Sequence, residues 1–153
     1  MSPSNYQNVK AYHRASHTVA KTRQVVMLYD GMIRFLKQAR DCMESRDIEG
    51  RYNKLIKAGE IIMGLQSSLD FDNGGDAARV LYGFYSTIDM RIISLHRTND
   101  IADCDRIIAD LKEMRDVWNR IDRGLPEKDA APEVADEQEV PPQPPEEPVT
   151  ISA

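Results

Sequence analysis

The stretch from Thr22 to Met43 constrains the fold most strongly, because its apolar residues recur with the period of a helix packed against other helices. They stand alternately four and three residues apart, at Val25, Tyr29, Met32, Leu36, Ala39 and Met43. A period of about 3.5 residues is typical of helices that cross their neighbours at a shallow angle. A second row, formed by Val26, Ile33 and Cys42, widens the apolar stripe. The stretch therefore predicts a helix that faces more than one neighbour.

Two positions of this stretch carry expectations of their own. Thr22 is a candidate N-cap, since a threonine hydroxyl accepts hydrogen bonds from the free amides of a first helical turn. Gly31 costs about 1 kcal/mol relative to alanine inside a helix. We therefore expect another backbone to approach the helix closely at Gly31.

Three later stretches repeat the same alternation and predict three more helices. They are expected at Ile48 to Leu69, with the row Ile48, Tyr52, Leu55, Gly59, Ile62, Gln66 and Leu69; at Asp76 to Arg97, with Ala77, Leu81, Phe84, Ile88, Arg91 and Leu95; and at Ile101 to Asp122, with Ile107, Leu111, Met114, Trp118 and Ile121. Arg91 is unusual in such a row, so we expect it to reach solvent or pair with an acid.

The connections between these stretches are short, and they determine the expected topology. Turn-forming residues separate the helices at Ser45–Asp47, Asp70–Gly75 and Thr98–Asp100, and no proline occurs between Thr22 and Gly124. Helices of similar length joined by short links form an antiparallel up-down-up-down bundle. The sequence therefore predicts an all-α fold with a four-helix bundle at residues 22–123.

The two ends of the chain differ in character from the bundle. In the arm, residues 1–21, Val9, Tyr12 and Ala15 step by three, which favours a short amphipathic helix lying on the bundle. Seven of the eight prolines lie in residues 126–148. The acidic, proline-rich tail, residues 124–153, is predicted to be disordered because it offers too little apolar surface to bury. A solvating role and a docking role remain alternatives for this tail.

The charge is unevenly distributed, and its distribution bears on the class of partner. The tail holds eight acids and one base, so the remaining 123 residues hold 17 acids (25 minus 8) and 19 bases (20 minus 1). A nearly neutral body weighs against nucleic acid as the main partner. No apolar run approaches the roughly 18 residues of a membrane span, and no secretory signal opens the chain. Cys42 and Cys104 form no CxxC pair and are expected to be buried free thiols in a cytoplasmic protein.

Motifs that indicate catalysis or cofactor binding are missing from the sequence. It contains no phosphate-binding glycine loop, nucleophile elbow or zinc-protease motif. His13 and His17 stand four residues apart but lack a third metal ligand. His96 lies near a helix end, which fits poorly with a phosphotransfer histidine. The carboxylates at the first helix junction are interpreted as a solvated turn, formed by Asp41, Glu44, Asp47 and Glu49. We therefore expect no enzyme activity, no metal and no cofactor.

The helices carry more apolar side chains than a four-helix core requires. The surplus residues are Met27, Leu28, Ile56, Met63, Met90, Ile93 and Met114. Methionine is flexible and polarizable and is common on surfaces that accept amphipathic partner helices. The alternative interpretation is that these residues fill a thick core or form a homodimer contact.

The order of short motifs along residues 5–122 resembles the flagellar secretion chaperones of the FliS family, which are flagellin export chaperones. The motifs are Ala11-Tyr12, Val26–Gly31, Arg34–Leu36, Ile61-Ile62, Leu65, Ser68–Asp70, Gly74-Gly75, Ala78 to Tyr82, Tyr85, Asn99-Asp100 and Trp118. Two departures are evident. Arg23 replaces the family's usual proline after the first cap, and the acidic tail is not typical of the family.

The resemblance implies a function and a set of binding residues. It implies a cytoplasmic bundle that binds the disordered C-terminal segment of flagellin, prevents premature polymerisation and delivers flagellin to a component of the flagellar type III export gate. It also implies that an N-terminal segment containing Tyr12 covers part of a groove. We expect the partner-binding residues to be Val9, Tyr12, Met27, Leu28, Ile56, Met63, Met90 and Met114. The alternative is a non-catalytic adaptor bundle that docks through its tail.

Overall fold

A computed structural model of the chain describes residues 3–124, with side chains from Lys21 onward. This part folds into four α-helices without a strand: α1 (Pro3–Ser45), α2 (Ile48–Ser67), α3 (Phe71–Thr98) and α4 (Ile101–Asp122). Helix α1 packs on α2 and α4, while α3 packs on α2 and less extensively on α4. Short turns make sequential neighbours antiparallel. The predicted up-down four-helix bundle is confirmed.

The first helix begins much earlier than the sequence predicts. It runs without interruption from Pro3, so Thr22 is a buried position in its interior and not an N-cap. Between Pro3 and Ser45 the chain contains no further proline and only one glycine, so nothing breaks the helix. The side chains of Val9 and Tyr12 lie outside the described residues. The arm as a cover of the bundle therefore stays a prediction, as does the disorder of residues 125–153, which the structure does not describe.

The core row of α1 lies where the periodicity predicts it, and that of α2 does not. On α1 the side chains of Tyr29, Met32, Leu36, Ala39 and Met43 are buried, and Val25 packs against them. On α2 the buried row is Leu55, Ala58, Ile62 and Leu65. The predicted row on α2 was therefore partly wrong, since Ile48 and Tyr52 are exposed. Apolar residues occur on two sides of α2, and the spacing alone does not distinguish the inner side from the outer side.

The buried side of α3 is rotated from the predicted row, whereas the buried side of α4 is close to its predicted row. The buried residues of α3 are Ala78, Tyr85, Ile88, Ile92 and Leu95, so Ala77, Leu81 and Phe84 of the predicted row are exposed or half-buried. On α4, Ile107 and Leu111 are buried, and Met114 and Trp118 pack against the core. Ile121 is exposed, which corrects the last position of that row.

Aspartates cap the last three helices. Asp47, Asp70 and Asp100 accept hydrogen bonds from backbone amides in the first turns of α2, α3 and α4. Asn99 closes α3 in a left-handed conformation. The break predicted at Asp70–Gly75 takes the form of one helical turn followed by a kink. Gly75 adopts φ 50° and ψ −128° there, a conformation that favours glycine.

Three side-chain expectations have specific outcomes. The guanidinium of Arg91 pairs with Asp103 at 2.8 Å and with Asp110 at 2.7 Å, which confirms the predicted pairing with acids. Gly31 faces the side chain of Ile61 and not a backbone, and a Cβ at Gly31 lies in ordinary contact with the Ile61 Cδ1 atom at 3.5 Å. Both cysteines are free, but only Cys104 is buried and Cys42 is half-buried.

Candidate functional site

The outer side of the α2–α3 pair carries two parallel rows of residues that face away from the core. Each row repeats the four–three alternation, with Tyr52, Ile56, Gly59, Met63 and Gln66 on α2 and Tyr82, Ser86, Asp89, Ile93 and His96 on α3. The rows lie side by side, because the Gln66 amide donates to the Ser86 hydroxyl at 2.7 Å. At the other end the rings of Tyr52 and His96 are 5.3 Å apart. We call this surface the α2–α3 groove.

The α2–α3 groove has apolar walls and a floor of small or polar residues. Its walls are the exposed side chains of Tyr52, Ile56, Met63, Tyr82 and Ile93, with Met90 at the edge. Met63 is 62% exposed, Ile93 is 60% exposed and Met90 is 72% exposed. The floor consists of the half-buried Gly59, Gln66, Ser86 and Asp89. A Cβ on Gly59 would meet no atom within 4 Å, so the floor is open at that point.

A concave surface lies at the end of the bundle where α2 stops. It is a cavity of about 790 Å³, called here the end pocket. Leu28 and Val25 of α1, Leu69 and Leu81 around the start of α3, and Trp118 of α4 contribute its larger apolar side chains. The pocket exists because α2 ends at Ser67, while α1 and α3 both continue past this level. The spacing of the apolar residues does not predict this pocket. The small residues Gly74, Ala77 and Ala78, which also line it, were the available signal.

Two aromatic side chains at the base of the end pocket carry buried polar atoms. The hydroxyl of Tyr29 donates to that of Tyr85 at 3.2 Å, and Tyr85 lines the pocket. Burial and this bond raise the pKa of Tyr29 above its ordinary value, and burial raises the pKa of Tyr85. The indole N–H of Trp118 is buried close to the Tyr29 hydroxyl. The end pocket therefore offers a mainly apolar surface.

The predicted binding residues are distributed unequally over these surfaces. Ile56, Met63 and Met90 line the α2–α3 groove, and Leu28 lines the end pocket. Met27 is exposed on α1, but it lies roughly 100° around the helix from Leu28 and lines neither surface.

Met114 is half-buried where it packs against the core between α4 and α3, and its part in binding stays a prediction. This interface takes up the side chain beside Phe84 and Val117, which line a small pocket with it. Val9 and Tyr12 fall on the helical backbone of α1, but their side chains lie outside the described residues. Their part in binding therefore stays a prediction.

His96 has a structural environment that weighs against phosphotransfer. It is half-buried against Tyr52, and its carbonyl accepts a hydrogen bond from Arg51 at 2.9 Å. Burial and the nearby positive charge of Arg51 lower the pKa of the His96 imidazole. Arg51 also donates to the Asn99 side chain at 2.6 Å, and so it fixes the turn between α3 and α4 to α2. His96 thus belongs to the end of the α2–α3 groove.

Other polar clusters in the described residues serve the fold. At the first helix junction Asp47 caps α2, and Glu44 accepts a hydrogen bond from Arg40 at 2.8 Å. Within residues 21–124 no group of three His, Cys, Asp or Glu side chains is arranged to hold a metal ion. None of the described helices combines the length and the apolar character that a membrane crossing requires.

Known proteins with similar sequences support one family. Residues 3–124 match the family described as "Flagellar protein FliS". The flagellar secretion chaperone FliS of Campylobacter jejuni is 28% identical over 120 residues, covering 75% of this chain and 93% of that protein. The one from Vibrio cholerae is 32% identical over 97 residues, covering 63% and 71%. The Escherichia coli protein of the same name is 28% identical over 102 residues, covering 66% and 75%.

A solved structure agrees with this match at the level of the fold. A structure described as a flagellar chaperone from bacteria superimposes with a TM-score of 0.64 at 19% sequence identity. The overlap covers 68% of this chain and 85% of that chain. The similarity shows a shared helical architecture.

Proposed function

This chain belongs to the FliS family of flagellar proteins, and from that membership we propose that it is a cytoplasmic flagellar secretion chaperone that binds the disordered C-terminal segment of flagellin. Bound flagellin is kept from polymerising early and is delivered to the flagellar type III export apparatus. The related proteins from Campylobacter jejuni, Vibrio cholerae and Escherichia coli are named flagellar secretion chaperones, which supports this proposal. The chaperone acts stoichiometrically, without nucleotide or catalysis.

The α2–α3 groove is the observation that carries the proposal. Exposed apolar side chains are ordinary when they are scattered singly, but a continuous row indicates an interaction surface. Here Ile56, Met63 and Ile93 form two facing walls along a pair of antiparallel helices. Such a surface fits the apolar side of an amphipathic helix, whose anchors recur every three or four residues. The methionines Met63 and Met90 allow the walls to adapt to the partner.

The energetics favour a partner that orders as it binds. Apolar burial contributes about 25 cal/mol per Å², and ordering a disordered segment costs about 2–5 kcal/mol or more. A long segment that occupies the α2–α3 groove and continues to the end pocket buries enough apolar surface to exceed this cost. Leu28 then contributes at the end pocket, and Met27 remains a predicted contact on the exposed side of α1. Val9 and Tyr12 remain predicted contacts of the arm that covers part of the groove.

The proposal is tested by titrating a peptide from flagellin's C-terminal region into the protein. We expect a gain in helical circular dichroism beyond the sum of the two components and a negative heat-capacity change in calorimetry. Binding should persist at high salt, because apolar contacts supply most of the energy. The absence of binding, or binding that disappears at moderate salt, contradicts the proposal.

Matched substitutions locate the site. Met63→Glu and Ile56→Glu place a charge on the groove wall and should weaken binding by at least about tenfold, since each removes an apolar anchor and desolvates a charge. Val80→Glu is the control, because Val80 is 69% exposed on α3. Val80 stands two residues before Tyr82 and therefore faces another direction. Circular dichroism should show all three variants folded.

A further inference from the structure

Asp89 is the one carboxylate among the ten residues that define the α2–α3 groove. It stands between Ser86 and Ile93 in the α3 row, on the floor and not on the wall. It forms no hydrogen bond or ion pair with any other residue in the described part of the chain. Its oxygens are absent from the buried atoms without partners in the described part, so they reach the surface of the groove.

The surroundings of Asp89 supply no positive charge. The α2 floor opposite it is formed by Gly59 and Gln66, which are uncharged. The lowered pKa of His96 favours its neutral form, and the charge of Arg51 does not shift the pKa of Asp89. Burial raises the pKa of the Asp89 carboxyl, which reflects incomplete solvation of its charge.

We propose that Asp89 selects a partner helix that carries a lysine or arginine within its apolar side, and that this cation enters the groove to pair with Asp89. The open space beside Gly59, in the α2 row that faces the row of Asp89, gives a long basic side chain room to enter. Walls made of Met63 and Ile93 bury the aliphatic stem of such a side chain while its charged head reaches the floor. The inference rests on the proposed function and adds a specificity determinant to the same site.

A carboxylate on the floor distinguishes partners by charge as well as by shape. A helix with a purely apolar side leaves Asp89 desolvated and unpaired, which is costly. A helix with an acidic residue at this point juxtaposes like charges. Apolar walls thus provide affinity, and Asp89 rejects amphipathic segments that lack a cation in register.

The test uses the full chain and the C-terminal segment of flagellin from the same organism as the probe. Asp89→Lys should weaken binding by about tenfold or more, because it places the lysine against the partner's cation. Asp89→Asn keeps the shape of the side chain and should weaken binding less. Glu113→Lys is the charge-matched control, since Glu113 is exposed on α4, which does not pack on α2.

The decisive step is a charge exchange. Each lysine and arginine of the flagellin segment is changed to glutamate in turn and titrated against the Asp89→Lys protein. One such change should recover at least part of the lost affinity, and the same change should weaken binding to the unaltered protein. Undiminished binding by Asp89→Lys and Asp89→Asn, or the absence of any compensating change, overturns this inference alone. If the unaltered protein does not bind the segment, the proposed function fails and the inference fails with it.

Discussion

Tyr29 of α1 donates a hydrogen bond to Tyr85 of α3 at 3.2 Å, and this bond links two helices that lie diagonally across the bundle. Both side chains are buried, and their ring centroids are 6.4 Å apart. Because Tyr85 also lines the end pocket, the bond connects the core to the candidate binding surface. A buried polar pair of this kind stabilises the fold only while both partners are present.

Removing one of these two hydroxyls should therefore destabilise the fold by more than half of the loss caused by removing both. Tyr29→Phe leaves the Tyr85 hydroxyl buried without its partner and should lower the free energy of unfolding by about 1–3 kcal/mol. Adding Tyr85→Phe to this variant should lower the free energy of unfolding much less than the first substitution does. Urea denaturation of the two single variants and the double variant forms a double-mutant cycle. Additive losses would show that the hydroxyls do not interact.

The same pair makes stability sensitive to alkaline pH. The pKa values of Tyr29 and Tyr85 are raised in the folded protein, whereas an unfolded tyrosine ionises at about pH 10. Below that pH the contribution of the neutral pair is fully present. As the pH rises above it, the unfolded chain loses protons that the folded chain keeps, so the free energy of unfolding falls. Urea denaturation at several pH values measures this slope, which should be shallower in the double phenylalanine variant. Equal slopes contradict the assignment.

Two glycines should respond in opposite directions to the same substitution. Gly31→Ala should stabilise the protein by up to about 1 kcal/mol, since alanine favours helix and its Cβ meets Ile61 at an ordinary distance of 3.5 Å. Gly75→Ala should destabilise it by about 1–3 kcal/mol, because φ 50° with ψ −128° strains any residue with a Cβ. Space is not the cause at Gly75, where a Cβ meets no atom within 4 Å. Thermal and urea unfolding of both variants measure the difference, and changes of the same sign would refute the backbone argument.

The sequence was sufficient for the fold class, the helix count and most of the turns. The row from Tyr29 to Met43 is buried as its spacing predicts, and Asp47 and Asp100 cap helices where the turn residues indicate them. These features depend on interactions between residues a few positions apart, which the sequence displays directly. Arg91 belongs to the same class, since a charge inside an apolar row requires a partner wherever the helix packs.

Only the tertiary structure decided which apolar residues are inside. Helices α2 and α3 carry apolar residues on two sides, and the packing of the bundle decides which side is buried, with Leu55 and Ile62 inside on α2 and Ile88 and Ile92 inside on α3. That rotation leaves Met63 and Met90 exposed, while Met114 of α4 is half-buried against the core. The end pocket likewise arises from the different lengths of the helices and not from any local motif. Spacing along one helix is a local property, whereas the direction a helix faces is set by its partners. The sequence therefore predicts the bundle, and the packing creates the candidate binding surface.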